Sequence, residues 1–317
     1  MKILRHLTCL IITLLLFSCS PPKQTPLRIG ANTWPGYEPL FLARDLDIFD
    51  HDTLRVLRLT SATEVIQAIR NGTLEGAALT LDETLSLIAD GINVKVILVF
   101  DYSNGGDVLL AKPGIKTLED LKGKQIAVEN TAVGAILLHS ALDEAGLKPE
   151  EVEIIHHPVD EHAAVFSQYD AVVTFEPART LILKQGARQL FHSGQIPGRI
   201  IDVLVMRSEV IETRPEALHQ LVNGYFAGLK QLTSNPEEAI SLITDIPPGV
   251  ATEIREAYED LDMKDLSENW NLLEGNPSTL TLKASSLQSF MMEKGLVKKA
   301  AELEEFTDAR FLPEAAK

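Results

Sequence analysis

The chain has 317 residues, of which 45% are hydrophobic, and its formal net charge is −16. So acidic a surface repels nucleic acid and anionic lipid, which argues against both as partners. Both cysteines, Cys9 and Cys19, lie at the N-terminus. The rest of the chain can therefore form no disulfide, thiolate metal site or cysteine nucleophile.

The N-terminus has the pattern of a cleaved export signal. Two basic residues precede an apolar run, Leu7 to Phe17, which is too short to span a bilayer. The residues before Cys19 resemble the bacterial lipoprotein processing box, in which the cysteine becomes the acylated first residue. We therefore expect a lipoprotein signal peptide at 1–18, a lipid on Cys19 and a tether at 19–26 that spaces the folded body from the membrane. An ordinary secretory signal with an incidental cysteine is the alternative.

In the first third of the body, short apolar runs alternate with helical patterns. Two helices open with capping boxes at Ser61 and Thr80, because a glutamate follows each of these residues three positions later. The continuous apolar run at 94–100 indicates a strand buried on both faces. Strands are predicted at 27–31, 54–59, 77–79 and 94–100.

The same alternation starts again at Thr117 and ends near Gly186. Alternating strands and helices predict parallel sheets with helices on both faces. Beyond Pro215 almost the whole chain is predicted to be helical. The predicted strands of this second block are 125–129, 152–156 and 170–175. Its helices begin at 117, 131 and 178, and those of the C-terminal part are 216–233, 237–244, 249–261 and 280–294.

Two extended stretches, Asp107 to Ala111 and Ile201 to Met206, break this rhythm. Paired side by side, they would form a two-strand hinge between two lobes. We expect one lobe from 27–107 together with 203–317, and the other from 108–202. In a molecule of this kind the ligand lies in the cleft, where the loops after successive strands meet.

Four segments carry a family resemblance through their order and spacing: 29–40, 68–72, 120–124 and 175–177. They resemble the substrate-binding proteins of nitrate, sulfonate and taurine type that serve ABC importers. The resemblance implies an α/β fold of the type II periplasmic binding protein class, with two lobes joined by a two-strand hinge and a helical C-terminal segment. It further implies a monomer without catalysis or cofactor, which lies on the periplasmic side and delivers a small molecule to an inner-membrane ABC permease.

Relatives of that family bind the pyrimidine precursor of thiamine, and an enzyme branch makes it with a cysteine-rich motif that this chain lacks. The family holds its ligand in loops after successive strands. Trp34 could instead fill the core, Asp82 could stabilise a helix dipole and Thr131 could be an N-cap, so these alternatives stay open. No pattern predicts a metal site, a catalytic triad or a nucleotide-binding loop. The ligand-contact candidates are Trp34, Tyr37, Asp82, Asn104, Asp107, Glu129, Thr131 and Glu176.

The candidate loops are rich in acids and contain neither lysine nor arginine. Carboxylates that converge in a partly dry cleft repel one another unless a cation relieves them. An amine could do so against Trp34 or Tyr37, while the helix N-terminus at Thr131 could take an anionic end. We therefore predict a cationic, zwitterionic or amino-heterocyclic ligand. A binder of nitrate- or sulfonate-type anions is one alternative, and a periplasmic sensor that signals to a membrane receptor is another. The acids are Glu38, Asp82, Glu83, Asp101, Asp107, Glu129 and Glu176.

Overall fold

The computed structural model describes residues 24–243 and 255–314. The predicted signal peptide, Cys19 and most of the tether lie outside these residues. The strands are β1 Leu27–Ala31, β2 Leu54–Arg58, β3 Gly76–Thr80, β4 Val94–Ser103, β5 Val108–Ala111, β6 Gln125–Val128, β7 Glu153–His156, β8 Ala171–Thr174, β9 Arg188–His192, β10 Ile201–Arg207 and β11 Leu261–Met263.

The strands form two mixed sheets, which are covered by helices and define two α/β lobes. The helices are α1 Glu38–Asp45, α2 Ala62–Arg70, α3 Leu81–Ala89, α4 Ala132–Glu144, α5 His162–Val165, α6 Ala178–Lys184, α7 Ser208–Thr213, α8 Pro215–Ser234, α9 Pro236–Leu242, α10 Leu266–Leu273 and α11 Thr279–Glu293.

Sheet A, in lobe 1, has the strand order β11-β4-β10-β3-β1-β2. Strands β1, β3 and β4 run in one direction, and β10 lies antiparallel between β3 and β4. The carboxyl ends of the three strands therefore meet at one edge of the sheet, where β10 begins. In the pairing register Asp202 of β10 lies opposite Thr80 on one side and Asp101 on the other.

Sheet B, in lobe 2, has the strand order β7-β6-β8-β5-β9. Strand β6 is parallel to β7 and β8, whereas β5 is antiparallel to β8 and β9. Val108, the first residue of β5, lies opposite Thr174, the last residue of β8. Asp107 and Phe175 therefore lie at the same end of this sheet.

The chain crosses between the lobes twice, once before β5 and once before β10, and the two crossing segments contact each other. The hydroxyl oxygens of Ser103 and Ser193 lie 2.7 Å apart, and the Gly105 N–H donates to the Ser193 hydroxyl over 2.8 Å. The predicted pairing of Asp107–Ala111 with Ile201–Met206 is wrong. Each stretch is a strand, but β5 joins β8 and β9, whereas β10 joins β3 and β4, because each apolar stretch is buried inside its own sheet.

The C-terminal part packs on lobe 1 and is less uniformly helical than predicted. The helices predicted at 216–233 and 280–294 are confirmed by α8 and α11. Residues 249–254 of the predicted helix 249–261 lie outside the described residues. The remainder includes a 3₁₀ turn at Tyr258–Asp260, and Leu261 at its end begins β11, which extends sheet A beside β4. The helix predicted from Thr117 is a single turn at Glu119–Leu121. The sequence prediction missed two strands, β9 and β11, and three helices, α5, α7 and α10.

Strand β5 shows how the buried strands fit between two apolar layers. Val108 and Leu110 belong to a core that is continuous with lobe 1, while Leu109 and Ala111 face the second core on the other side of sheet B. Alternate side chains point to opposite faces of a sheet, so such a strand is apolar throughout. Among the described residues, no helix combines the length and apolar character needed to cross a membrane.

Candidate functional site

A small cavity of about 20 Å³ lies where the edge of sheet A faces lobe 2. All of its lining residues are buried, and three of them are acids. Neither lysine nor arginine is among them. The lining consists of Asn32, Trp34, Tyr37, Ala62, Thr80, Glu83, Asp107, Val133, Phe175 and Asp202.

The strand ends bring these residues together. Trp34 follows β1, Thr80 ends β3, and Asp202 lies at the start of β10, all at the same edge of sheet A. Asp107 and Phe175 face them from the end of sheet B. The cavity therefore forms at the carboxyl ends of strands, where ligand sites of α/β proteins occur.

Two aromatic side chains donate hydrogen bonds to two of the surrounding acids. The Trp34 indole N–H donates to Asp101, with its nitrogen 3.2 Å from Oδ2, and the Tyr37 hydroxyl donates to Asp202. The Trp34 ring also meets Phe175 of lobe 2 edge to face, with 5.4 Å between the ring centroids. A Cβ at Gly36 would lie 1.9 Å from Asp101 Oδ2, so this close approach requires glycine.

Several buried oxygens at this site have no hydrogen-bond partner in the described part of the chain. They are Thr80 Oγ1, both oxygens of Asp82, Glu83 Oε1, Asp107 Oδ2 and Asp202 Oδ2. Glu83 does use its other oxygen, Oε2, which accepts from the Thr80 N–H over 3.1 Å as the capping box predicts. A buried polar atom without a partner is costly, so a donor group on a ligand would stabilise this arrangement.

Burial raises the pKa of these acids because it disfavours the charged form. The pKa of Asp107 is raised to about 6 and that of Asp82 to about 7. Burial, together with the charge of Asp82, raises the pKa of Glu83 to about 8. Burial and the charge of Asp107 raise the pKa of Asp101 to about 8, although its bond to Trp34 opposes the shift. The pKa of Asp202 is raised as well, by burial and by the charge of Asp101.

The neighbouring cations are engaged with other acids. Arg58 donates two hydrogen bonds to Glu38, of 2.8 and 2.7 Å, and stacks over the ring of Phe41. Lys264 Nζ lies 2.6 Å from Asp262 Oδ2, near the Tyr102 ring. Glu38 is thus compensated by an arginine and does not line the cavity.

Two predicted ligand contacts in lobe 2 have partners within the protein. Glu129 reaches across to lobe 1, where its Oε1 accepts from the N–H and the hydroxyl of Thr63, over 2.9 and 2.7 Å. Glu176 accepts from the N–H and hydroxyl of Thr180 in α6, the helix that follows it, over 3.2 and 3.0 Å. Neither carboxylate lines the small cavity.

The other candidates occupy different places. Trp34, Tyr37 and Asp107 line the small cavity, and Asp82 is buried beside it in the first turn of α3. Asn104 is exposed in the first crossing segment. Thr131 lines a second, larger cavity.

The sequence prediction missed Asp202 and assigned Glu83 to a structural cap only. The signal for Asp202 was present, since a single acid interrupts an otherwise apolar strand between Ile201 and Val203. No three His, Cys, Asp or Glu side chains in the ranges 24–243 and 255–314 are placed to share a metal ion.

The architecture matches solved structures of periplasmic binding proteins. The alkanesulfonate-binding protein of Xanthomonas axonopodis pv. citri, solved with MOPS, is 16% identical with a TM-score of 0.74, and the match covers 89% of this chain and 97% of that one. A ligand-binding component of an ABC-type import system from Staphylococcus aureus, solved with zinc, is 15% identical with a TM-score of 0.75, covering 92% and 99%. A desulfurization enzyme shares the fold at 14% identity and a TM-score of 0.61, covering 91% and 98%. At such low identities these similarities show the fold alone.

The chain belongs to the NMT1-like family, whose model matches residues 20–244. The taurine-binding periplasmic protein of Escherichia coli K12 is 24% identical over 57% of this chain and 58% of its own length. A putative thiamine biosynthesis protein of Haemophilus influenzae is 26% identical over 69% and 70%. A putative binding protein of Brucella abortus is 28% identical over 43% of this chain, and the match spans only 44% of that relative. The family resemblance predicted from the sequence is thus confirmed.

Proposed function

We propose that this protein captures a small cationic, zwitterionic or amino-heterocyclic molecule between its two lobes and delivers it to an ABC importer. The observation that carries the proposal is the small cavity, where Glu83, Asp107 and Asp202 meet without a lysine or arginine in the lining. Each of these acids has a buried oxygen without a partner in the described residues. An ammonium or amidine group would supply both the missing donors and the missing positive charge.

The relatives support the class of protein more strongly than the class of ligand. The similar taurine-binding protein and the import-system component favour a role in uptake over catalysis. The desulfurization enzyme shows that proteins with this fold can also be catalysts. Its similarity is weaker, and neither cysteine nor serine is among the residues that line the small cavity. A binder of nitrate- or sulfonate-type anions is the competing assignment.

A thermal-shift screen tests the ligand class. Primary amines, aminopyrimidines and the zwitterion taurine are compared with two kinds of oxyanion, nitrate and alkanesulfonates. A ligand at about 100 times its dissociation constant stabilises the folded state by roughly 2.7 kcal/mol, enough to raise the melting temperature by a few degrees. We expect shifts from the amines, and we expect Asp107→Asn to weaken them. Glu302→Gln, which removes one charge at an exposed position, is the matched control.

The opposite result would overturn the assignment. Shifts from the oxyanions alone, unchanged in Asp107→Asn, would assign the protein to the nitrate and sulfonate type of ligand. Small-angle scattering adds a test of capture by lobe closure. If an amine binds, the radius of gyration should decrease as the two lobes close about the crossing segments.

We also propose that Cys19 carries the lipid that holds the protein at the periplasmic face of a membrane. The residues before it support the proposal, since they resemble a lipoprotein processing box. Cys19→Ser should abolish palmitate incorporation and detergent partitioning and leave the circular dichroism of the folded body unchanged. Wild-type protein that incorporates no palmitate in cells would contradict this assignment.

A further inference from the structure

The 3₁₀ turn Tyr258–Asp260 and the first residue of β11 lie beside the first crossing segment. We call these residues, 258–261, the strap. Although the strap is short, it contacts three separate parts of the molecule. These parts are the loop that carries Trp34, the crossing segment itself and lobe 2.

The strap is bonded to the loop that carries Trp34. The Tyr258 hydroxyl donates to the Pro35 carbonyl over 3.0 Å, and Pro35 directly follows Trp34. Gly106 of the crossing segment lies close to both Trp34 and Leu261, since a Cβ there would be 2.7 Å from Trp34 Cη2 and 3.1 Å from Leu261 Cδ2. The strap therefore helps to set the position of Trp34 at the small cavity.

The strap is also bonded to the crossing segment and to lobe 2, through Asp260. The Asp260 carbonyl accepts from the Asn104 N–H over 2.9 Å. The Asp260 carboxylate accepts from the guanidinium of Arg179, which belongs to α6 of lobe 2, with 2.6 Å between Nη1 and Oδ2. The side chains of Arg179 and Asp260 are 17% and 33% exposed, so water screens this ion pair only in part.

Lobe 2 contacts Trp34 and the strap with the same short segment. Phe175 meets the Trp34 ring edge to face, and its carbonyl accepts from the Arg179 N–H over 2.9 Å. Each member of this set contacts or is covalently linked within its own turn to the next, and the last contacts the first. We call the set the strap network, and its members are Trp34, Pro35, Tyr258, Asp260, Arg179 and Phe175.

We propose that the strap couples the position of Trp34 at the small cavity to the closure of lobe 2, with Tyr258 and Asp260 as positioning residues. A ligand that contacts Trp34 then favours closure through the strap, in addition to any contact that it makes with lobe 2. Coupling of this kind requires that the contacts of the strap network form together and break together. The inference concerns closure and does not depend on the charge of the ligand.

Hydrogen exchange of the two indole N–H groups, followed by NMR, tests the inference in protein without added ligand. The Trp34 N–H is buried and bonded to Asp101, so its exchange requires opening and its rate follows the open fraction. Arg179→Gln should raise this rate about fivefold or more, because closure loses a charge-assisted hydrogen bond. The Trp270 N–H is bonded to the Pro313 carbonyl outside the strap network, and its rate should not change.

A double-mutant cycle distinguishes coupling from separate stabilising contacts. Tyr258→Phe keeps the aromatic ring but removes the hydroxyl that is bonded to Pro35, so it should also raise the exchange rate of Trp34. In the double variant with Arg179→Gln, the rate should be close to that of the faster single variant. Either change alone already disconnects lobe 2 from the Trp34 loop, so the second has little left to break.

Lys294→Gln is the matched control. It removes another ion pair to lobe 2, the one that Lys294 of α11 forms with Asp143 of α4 over 2.6 Å, which lies outside the strap network. Any effect of Lys294→Gln on the exchange rate of Trp34 should therefore multiply with the effect of Tyr258→Phe, as expected for independent contacts.

Three results would overturn the inference. They are an unchanged Trp34 rate in Arg179→Gln, rates that multiply in the double variant with Tyr258→Phe, and an equal acceleration of both indole N–H groups. The last would mark a general loss of stability. Because no ligand enters the experiment, none of these results bears on the proposed ligand class, which the thermal-shift screen tests separately.

Discussion

Asp202 is a buried acid that, under the proposed function, would favour ligand binding at the expense of stability. It is 1% exposed, it accepts from the Tyr37 hydroxyl, and its Oδ2 has no partner in the described chain. An amide at this position could still accept from Tyr37 and would carry no charge. Active and binding sites often retain such unfavourable groups because the ligand compensates for them.

Asp202→Asn should therefore stabilise the ligand-free protein at pH 8 and weaken the binding of amines. We expect a melting temperature a few degrees higher and an affinity for amines lower by about tenfold or more, since a charged hydrogen bond becomes a neutral one. Differential scanning calorimetry and titration calorimetry measure the two effects. Glu302→Gln should change neither, and a less stable Asp202→Asn that still binds amines fully would contradict the interpretation.

The two tryptophans allow the indole hydrogen bond to a buried carboxyl to be compared with one to a backbone carbonyl. Trp34 donates to buried Asp101 over 3.2 Å, whereas half-buried Trp270 donates to the Pro313 carbonyl over 3.0 Å. Trp34→Phe should cost about 1–3 kcal/mol beyond the loss in Trp270→Phe, because a buried carboxyl loses a partner that water cannot replace. Urea unfolding of both variants measures the difference. Equal losses would show that Asp101 finds another donor.

At the scale of single residues, the sequence predicted the cavity incompletely. Trp34, Tyr37 and Asp107 lie in loops whose composition is typical of sites, and the structure places them at the cavity. Asp202 and Thr80 face the cavity only because β10 is inserted beside β3, which is a pairing between residues far apart in sequence. Glu129 was predicted to contact the ligand because the local sequence does not reveal its partner, Thr63 in the other lobe.

At the scale of elements, the hydrogen bonds between Glu129 and Thr63 connect the two lobes. Its carboxylate receives two hydrogen bonds at the N-terminus of α2, where the helix dipole also favours negative charge. The contact requires the closed arrangement, because Glu129 follows β6 of lobe 2 and α2 belongs to lobe 1. We therefore expect Glu129 to favour closure of the lobes without lining the small cavity.

Glu129→Gln should favour the open arrangement and weaken every ligand by the same factor, whatever its charge. The loss of charge-assisted bonds is worth about 1–3 kcal/mol, which corresponds to roughly 5- to 150-fold in affinity. Small-angle scattering should show a larger radius of gyration at the same ligand saturation. Glu150→Gln, an exposed change in the same lobe, is the control. A selective loss for amines alone would instead make Glu129 a ligand contact.

Local sequence signals predicted most helices well because their ends carry caps. The box at Ser61 places the start of α2, where the Ser61 hydroxyl accepts from the Glu64 N–H over 3.3 Å. Gly72, with a φ of 71°, follows the end of the same helix. Strands β9 and β11 carry no such signals, since both are short edge strands whose pairing partners come from distant parts of the chain.

For the whole molecule, the buried acids predict how stability depends on pH. Burial raises the pKa of Asp107 to about 6, of Asp82 to about 7 and of Glu83 and Asp101 to about 8. Between about pH 5 and pH 8 these four carboxyl groups therefore hold more protons in the folded state than in the unfolded state, and they outnumber His162, whose burial lowers its pKa to about 4 and acts in the opposite direction. Stability must then fall as the pH rises through this window, because each carboxyl loses its proton in a place that disfavours the charge.

The melting temperature of the ligand-free protein should thus be lower at pH 8 than at pH 5. Asp107→Asn should flatten this dependence, and a saturating amine should raise the melting temperature more at pH 8 than at pH 5 because it compensates the charge. Calorimetric scans across the window measure both effects. A protein that becomes more stable as the pH rises would show that these acids are already paired or solvated.

The insertion of β10 also determines the order in which an emerging chain can fold. The strands of sheet B come from one continuous stretch, residues 108–192, so lobe 2 can complete its sheet as soon as that stretch is free. Sheet A cannot be completed at that stage, because β10, at residues 201–207, lies between β3 and β4 and is synthesised later. Until then both strands present apolar, unpaired edges, which are templates for aggregation. The lobe that is synthesised first is therefore the last to be completed, and its apolar strand edges stay exposed for longer than those of lobe 2.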